Sequence, residues 1–119
     1  MVDILSSWIL GDSTAMKILS YAIAVVVPYL IGGLNFAVIF SKNMYNEDIR
    51  ESGSGNAGTT NMFRTYGKKA GILTLVCDAL KSMASVALGL FIVAYESGAW
   101  IAAVMCMLGH IFPIWHKFK

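Results

Sequence analysis

Charge is scarce in this sequence. Nine Lys and Arg and seven Asp and Glu stand among 119 residues, against a hydrophobic fraction of 57% and a mean hydropathy of +0.66. An ordinary soluble domain needs more polar surface than this, so that class is excluded. The formal net charge of +2 adds little, and no nucleic-acid partner is expected. Cysteine is nearly absent too. Cys77 and Cys106 fall inside apolar stretches without ligand spacing around them, which points to neither a zinc site nor a disulfide framework. Both read as packing residues, and no metal or cofactor is expected. The N-terminus lacks the basic n-region and small-residue cleavage site of a secretory signal. There is no internal repeat, low-complexity tract or interdomain linker, so residues 1–119 read as one domain.

What the chain does have is apolar residues in long blocks, and about 20 such residues in a helix cross a hydrocarbon core of about 30 Å. The first block, Ile18 to about Ser41, contains no Lys, Arg, Asp, Glu or His and reads as a full span. Pro28 and the Gly32-Gly33 pair would break a soluble helix, but a membrane bundle can re-satisfy the freed backbone groups. Small residues there also admit close helix contact. The second block, Ala70 to about Tyr95, is interrupted only by Asp78 and Lys81. The third, Ala99 to about Trp115, is shorter and carries His110 and Pro113. Met1 to Leu10 is apolar on one side but too short to span, and is expected to form an interfacial helix. Asp12-Ser13-Thr14 supplies caps for the helix that follows. The expected fold is therefore all-α: a polytopic membrane protein with about three transmembrane helices and a short N-terminal interfacial helix.

Orientation follows from basic residues, because positively charged short loops stay in the cytoplasm. Lys42, Arg50, Arg64, Lys68 and Lys69 crowd the stretch between the first two spans, whereas Glu96-Ser97-Gly98 holds none. Residues 42–69 are thus expected to be cytoplasmic, the N-terminus outside, and the tail His116-Lys117-Phe118-Lys119 cytoplasmic. Trp8, Trp100 and Trp115 sit near the ends of apolar segments and read as interface anchors. Asp78 and Lys81 lie three residues apart on one helix face, and charges inside a span must meet partners or water in the bundle interior. A structural polar pair and direct substrate contact are both open for them. His110 reads as an interhelical hydrogen-bonding group rather than a general base.

The stretch from Asp48 to Lys69, DIRESGSGNAGTTNMFRTYGKK, combines four glycines, hydroxyls and basic residues before and within a helix-like segment. Glycines let successive backbone N–H groups converge on a phosphate, Ser and Thr add donors, and a following helix N-terminus adds positive potential. Arg64 offers a fork for two phosphate oxygens. A plain flexible loop whose cations hold topology has the same composition. A Walker-type loop fits poorly because no Gly-Lys-Ser/Thr closes the run, and no βαβ unit supports a dinucleotide fold.

The run Gly53-Ser54-Gly55-Asn56-Ala57-Gly58-Thr59-Thr60-Asn61, with Arg64 and Gly67-Lys68-Lys69-Ala70-Gly71, closely resembles the first signature motif of the bacterial acyl-phosphate:glycerol-3-phosphate acyltransferases. The likeness extends through Asp48-Ile49-Arg50-Glu51 and Leu75 to Lys81, and covers nearly the whole chain from about Tyr29. Gly109-His110-Ile111-Phe112-Pro113 with Phe118-Lys119 resembles the opening of the family's second motif. Two departures stand out: Gly33-Leu34-Asn35 replaces a Ser-Ile-Pro-like sequence, and Ala57 replaces a bulkier aliphatic residue. A third is that the sequence ends at Lys119, where a Gly-Gly-Lys-Gly run would continue the second motif. The chain is accordingly expected to be an N-terminal portion, inactive by itself and completed by a C-terminal fragment.

The resemblance implies a multi-pass protein of the bacterial plasma membrane that serves phospholipid biosynthesis. Its reaction would move a fatty acyl group from an acyl phosphate to the 1-hydroxyl of glycerol 3-phosphate, giving lysophosphatidate and inorganic phosphate. An acyl phosphate is already activated, so alignment and charge stabilisation are the main demands on the protein. Ser54 and Arg64 are the catalytic candidates, Ser54 at phosphate and Arg64 as the charge-stabilising group. Gly55, Asn56 and Gly58 are assigned to substrate phosphate through their backbone, Asn61 to orienting a substrate or the loop, and Lys119 to phosphate. The alternatives are a non-catalytic membrane remnant that assembles with partners, and an anion-transporter subunit, for which no paired half or inverted repeat is visible.

Overall fold

The computed structural model describes residues 13–93 and 96–116. In chain order these form α1 (Thr14–Gly32), α2 (Phe36–Tyr45), a 3-10 turn (Ile49–Glu51), α3 (Thr59–Tyr66), α4 (Lys68–Val93), α5 (Glu96–Ile111) and a second 3-10 turn (Ile114–His116). No strand occurs among the described residues. Thr14–Tyr45, Lys68–Val93 and Glu96–His116 are each long and apolar enough to cross a membrane, which agrees with the all-α, three-span reading. The expected interfacial helix at residues 1–10, with Trp8, lies outside the described residues.

The first span is built from two helices. Helix α1 begins where Ser13 caps it, its hydroxyl accepting from the Met16 N–H at 3.2 Å. It runs through Pro28, which is buried and breaks nothing, and stops at Gly32. The interruption is Gly33-Leu34-Asn35, after which the Asn35 side chain accepts from the Val38 N–H at 3.2 Å and starts α2. The residues that differ from the family's Ser-Ile-Pro-like pattern are thus the helix break itself, and Asn35 is its cap.

The described chain divides into two compact units, with the boundary inside α4. The first holds residues 13–34 and 81–116. In it α1 and α5 cross with their backbones in close approach: a methyl at Gly32 would fall on the Cys106 carbonyl, and one at Gly109 on the Tyr29 carbonyl. Gly89 and Gly98 bring α4 and α5 together in the same way, each facing the other's carbonyl oxygen. Small residues are what such contact requires where lipid gives helices no hydrophobic reason to associate.

A helix end in an apolar setting leaves carbonyl groups that must find donors. At the end of α1 they do. Gly33 N–H donates to Tyr29 O at 3.0 Å and Leu34 N–H to Ile31 O at 3.1 Å. Trp115 donates its indole N–H to Leu30 O at 2.9 Å. Lys81, only 7% exposed, donates from Nζ to Gly32 O at 3.0 Å and Leu34 O at 2.9 Å, and lies 2.9 Å from His110 Nδ1. His110 is an interhelical hydrogen-bonding residue, as expected, and Trp115 is a side-chain donor to a backbone carbonyl besides any interfacial role. At the same end of the crossing, Tyr29 donates its hydroxyl to Phe112 O at 2.6 Å, beside Pro113.

The second unit, Asn35–Leu80, packs α2 and α3 around Ala37, Val38, Ile49, Met62 and Ala70, with Phe40, Tyr45, Ala57 and Tyr66 against them. Ala57 thus has a packing position that a small side chain fills. Asn46, left-handed with φ 54°, ends α2. The fully buried Ser41 hydroxyl then accepts from the Ile49 N–H at 3.0 Å, fixing the turn beneath the helix.

Candidate functional site

Residues 42–69 are far more ordered than a flexible loop, since helices and 3-10 structure occupy both ends and much of the interior. Asp48 caps the first 3-10 turn by accepting from the Arg50 N–H at 3.0 Å, and the Arg50 guanidinium closes on the same carboxylate with Nη2 to Oδ2 at 2.7 Å. Lys42 adds a longer contact at 3.9 Å. The hydrogen bond from the Arg50 side chain, helped by the neighbouring cations, holds the Asp48 carboxyl down at about 2. The same pairing raises Arg50 above its ordinary value. Arg50 is thereby engaged within the loop. On the other flank Tyr45 and Tyr66 stack with ring centroids 4.0 Å apart, and the Tyr66 hydroxyl donates to Glu47 Oε2 at 2.8 Å. Burial first, then that carboxylate, pushes the Tyr66 phenol up.

Between these flanks the chain makes a compact turn over 52–58. Gly53 and Gly55 have φ of 54° and 76°, a region open to glycine and strained for other residues. Gly55 N–H donates to Ser52 O at 2.9 Å, Asn56 N–H reaches Ser54 Oγ at 3.4 Å, and Gly58 N–H donates to Asn56 O at 3.1 Å. Gly58 is then the extended N-cap of α3 and brings no capping side chain. The first helical bond is Met62 N–H to Gly58 O at 3.0 Å, so the N–H groups of Thr59, Thr60 and Asn61 at the start of α3 have no acceptor within the helix.

The structure gathers Ser54, Gly55, Asn56, Gly58 and Asn61 into this one turn and helix start. Ser54, Gly55 and Asn56 are exposed, whereas Asn61 is 3% exposed and faces inward. Arg64 lies in the last turn of α3, exposed, four residues after exposed Thr60 and hence on the same helix face. Lys119 lies outside the described residues. The sequence reading did not single out Thr59 and Thr60; their signal is a glycine directly before a helix, which leaves the first-turn N–H groups uncapped. A cavity of about 600 Å³ beside the turn is lined by Lys42, Asn46, Glu47, Asp48, Glu51 and Ser52. Three carboxylates make it a poor seat for phosphate. The start of α3 has the opposite character: free N–H groups, the positive end of the peptide dipoles, and exposed hydroxyl and guanidinium groups on its face. Chemically, these groups can contact an anion. Among the described residues no group of three or more His, Cys, Asp or Glu is placed to hold a metal.

The family model described as Glycerol-3-phosphate acyltransferase matches residues 22–119. A glycerol-3-phosphate acyltransferase of Cupriavidus metallidurans is 48% identical over 97 residues, covering 78% of this chain and 48% of that protein. One of Coxiella burnetii is 38% identical over 101 residues, covering 85% and 52%. Glycerol-3-phosphate acyltransferase 2 of Bacillus cereus is 42% identical over 94 residues, covering 79% and 47%. The chain thus spans about half the length of the curated relatives it matches. No solved structure matches it significantly. With a family match over most of its length and the glycine turn within that match, the chain belongs to the glycerol-3-phosphate acyltransferase family.

Proposed function

We propose that this chain contributes a phosphate-binding half of an enzyme that transfers a fatty acyl group from an acyl phosphate to the 1-hydroxyl of glycerol 3-phosphate. The products are lysophosphatidate and inorganic phosphate, a step of phospholipid biosynthesis at the membrane. The observation that carries the reading is the uncapped start of α3 behind Gly58, where N–H groups of Thr59, Thr60 and Asn61 are left for an anion. The exposed Ser54 hydroxyl adds a donor from the preceding turn, the N–H groups of Gly55, Asn56 and Gly58 shape that turn through bonds within it, and Lys119 is a further phosphate contact. Side chains on a helix lean toward its N-terminus, so Arg64 reaches back along the Thr60 face toward the same anion. There it stabilises charge as phosphate leaves the acyl carbonyl.

Residues 42–69 face the cytoplasm and the N-terminus lies outside, a topology supported by the five basic residues of that segment and their absence from Glu96-Ser97-Gly98. Water-soluble glycerol 3-phosphate then meets the loop directly, while the acyl tail of the donor stays in the bilayer. Transfer also draws on a companion segment corresponding to the remaining half of the relatives, because two phosphates need more contacts than one turn offers. A displacement of about 1 Å in such an arrangement can cost on the order of 100-fold in rate.

Radiolabelled glycerol 3-phosphate and an acyl phosphate supplied to washed membranes test the reading. Membranes holding this chain together with a segment homologous to the other half of the Cupriavidus protein should form lysophosphatidate, and this chain alone far less. Full transfer by the purified chain alone would remove the need for a companion. No transfer in either case, with both segments inserted, would favour a non-catalytic membrane component.

A further inference from the structure

The side chain of Asn61 has no polar atom left for a substrate. Its Nδ2 donates to Ile49 O at 3.2 Å, Ser52 O at 2.9 Å and Asn56 O at 3.0 Å. Its Oδ1 accepts from the Ser54 N–H at 3.2 Å and from Thr65 Oγ1 at 3.3 Å. Two amide hydrogens shared over three carbonyls, with an oxygen taking two donors, use the full capacity of a carboxamide. The group is 3% exposed, so water does not replace any of these partners. A further observation ties the turn to the same atom: a methyl at Gly53 would collide with Asn61 Oδ1 and crowd Thr65 Oγ1.

We infer that Asn61 is a positioning residue, whose buried carboxamide folds 49–56 around the start of α3 and decides which donors the turn presents to an anion. It consumes the Ser54 N–H and leaves the Ser54 hydroxyl exposed, while the Thr59 and Thr60 N–H groups stay open beyond the helix cap. Gly53 is the counterpart of Asn61: the turn comes close enough for these hydrogen bonds only where no Cβ intervenes. The assignment deepens the proposed phosphate role and rests on it for its functional consequence.

The test uses the whole chain in nanodiscs, with amide exchange and glycerol 3-phosphate titration read by NMR. In the unsubstituted protein the Asn61 side-chain NH₂ should exchange slowly and barely move on titration, while the Thr59 and Thr60 amides shift. Asn61→Asp keeps the shape but turns a donor toward three carbonyls into an acceptor. It should speed exchange at Ser54 and weaken binding, each on the order of tenfold or more, the scale of a lost buried hydrogen bond, with α1 and α5 unaffected. In the Asn61→Ala background, Gly53→Ala should cost less affinity than it does alone, because the colliding oxygen is gone. A large titration shift of the Asn61 NH₂ with normal Ser54 protection in Asn61→Asp would make Asn61 a direct ligand contact and overturn the assignment. If no glycerol 3-phosphate binds the unsubstituted chain, the phosphate reading fails, yet Ser54 exchange still decides whether Asn61 holds the turn. Should Asn61→Asp not fold, slow exchange of the Asn61 NH₂ in the unsubstituted protein supports the inference and fast exchange overturns it.

Discussion

Two breaks in helical structure, one at the end of α1 and one before α3, have their exposed backbone groups satisfied in opposite ways. At the end of α1, inside an apolar span, donors come from far along the sequence: Lys81 from 49 residues away to Gly32 and Trp115 from 85 residues away to Leu30. At the turn before α3, Asn61 reaches back only five to twelve residues, to Asn56, Ser52 and Ile49. The first break is held by the packing of distant helices and should fail with it. The second is held by its own motif and should survive damage elsewhere, which suits the proposed phosphate role.

Substitutions at the crossing of α1 and α5 should separate these behaviours most strongly. Gly32→Leu drives a side chain into the Cys106 backbone, which cannot rotate aside as a side chain would. A loss of about 3 kcal/mol or more is expected, the upper range for overpacking, measured as a fall in the thermal aggregation midpoint in detergent. Exchange protection at Ser54 should outlast protection at the end of α1. Lys81→Met comes next. It strips the donor from the Gly32 and Leu34 carbonyls, at roughly 1–3 kcal/mol for each group left unmet, and His110→Ala should cost less because both carbonyls keep the ammonium.

At the motif itself the effect falls on function rather than stability. Arg64 is exposed on α3, so Arg64→Lys should leave the melting midpoint unchanged. Acyl transfer with the companion segment should nevertheless drop on the order of tenfold, because an ammonium cannot reproduce two parallel guanidinium hydrogen bonds to phosphate. The drop should exceed that of Lys68→Ala; equal activity for Arg64→Lys and the unsubstituted chain would return Arg64 to a purely topological role.

The smallest effect concerns pH. The Asp48 carboxyl is held down at about 2 in the folded chain, below its ordinary 3.8. Its contribution to the local turn is therefore complete above pH 3.8 and is lost as pH falls toward 2. Exchange at Ile49 to Glu51 should accelerate over that window, and Asp48→Asn should remove the pH dependence. Because the pair is partly solvated, the change should stay modest.

The contrast between local and distant satisfaction also explains what the sequence disclosed. Three spans are legible because length and hydropathy alone decide them, and the glycine turn because its residues act on neighbours within a dozen positions. Gly33-Leu34-Asn35 stands out only as a departure from a family pattern; nothing local announces that Lys81 and Trp115 will meet its carbonyls. Lys81 three residues after Asp78 suggests a pair within one helix, and nothing local announces its hydrogen bonds to Gly32, Leu34 and His110. In the turn, Asn61 is legible as important but not as inward-facing. Its two possible roles share one residue type and position, and burial is what distinguishes them.

The central claim is that the uncapped start of α3 is the phosphate seat. Titration of the unsubstituted chain in nanodiscs with glycerol 3-phosphate, inorganic phosphate and glycerol, following backbone amide resonances, tests it most directly. Saturable shifts at Thr59 and Thr60 with both phosphates and none with glycerol are predicted. Shifts confined to Lys68 and Lys69, or equal responses to glycerol, would contradict it.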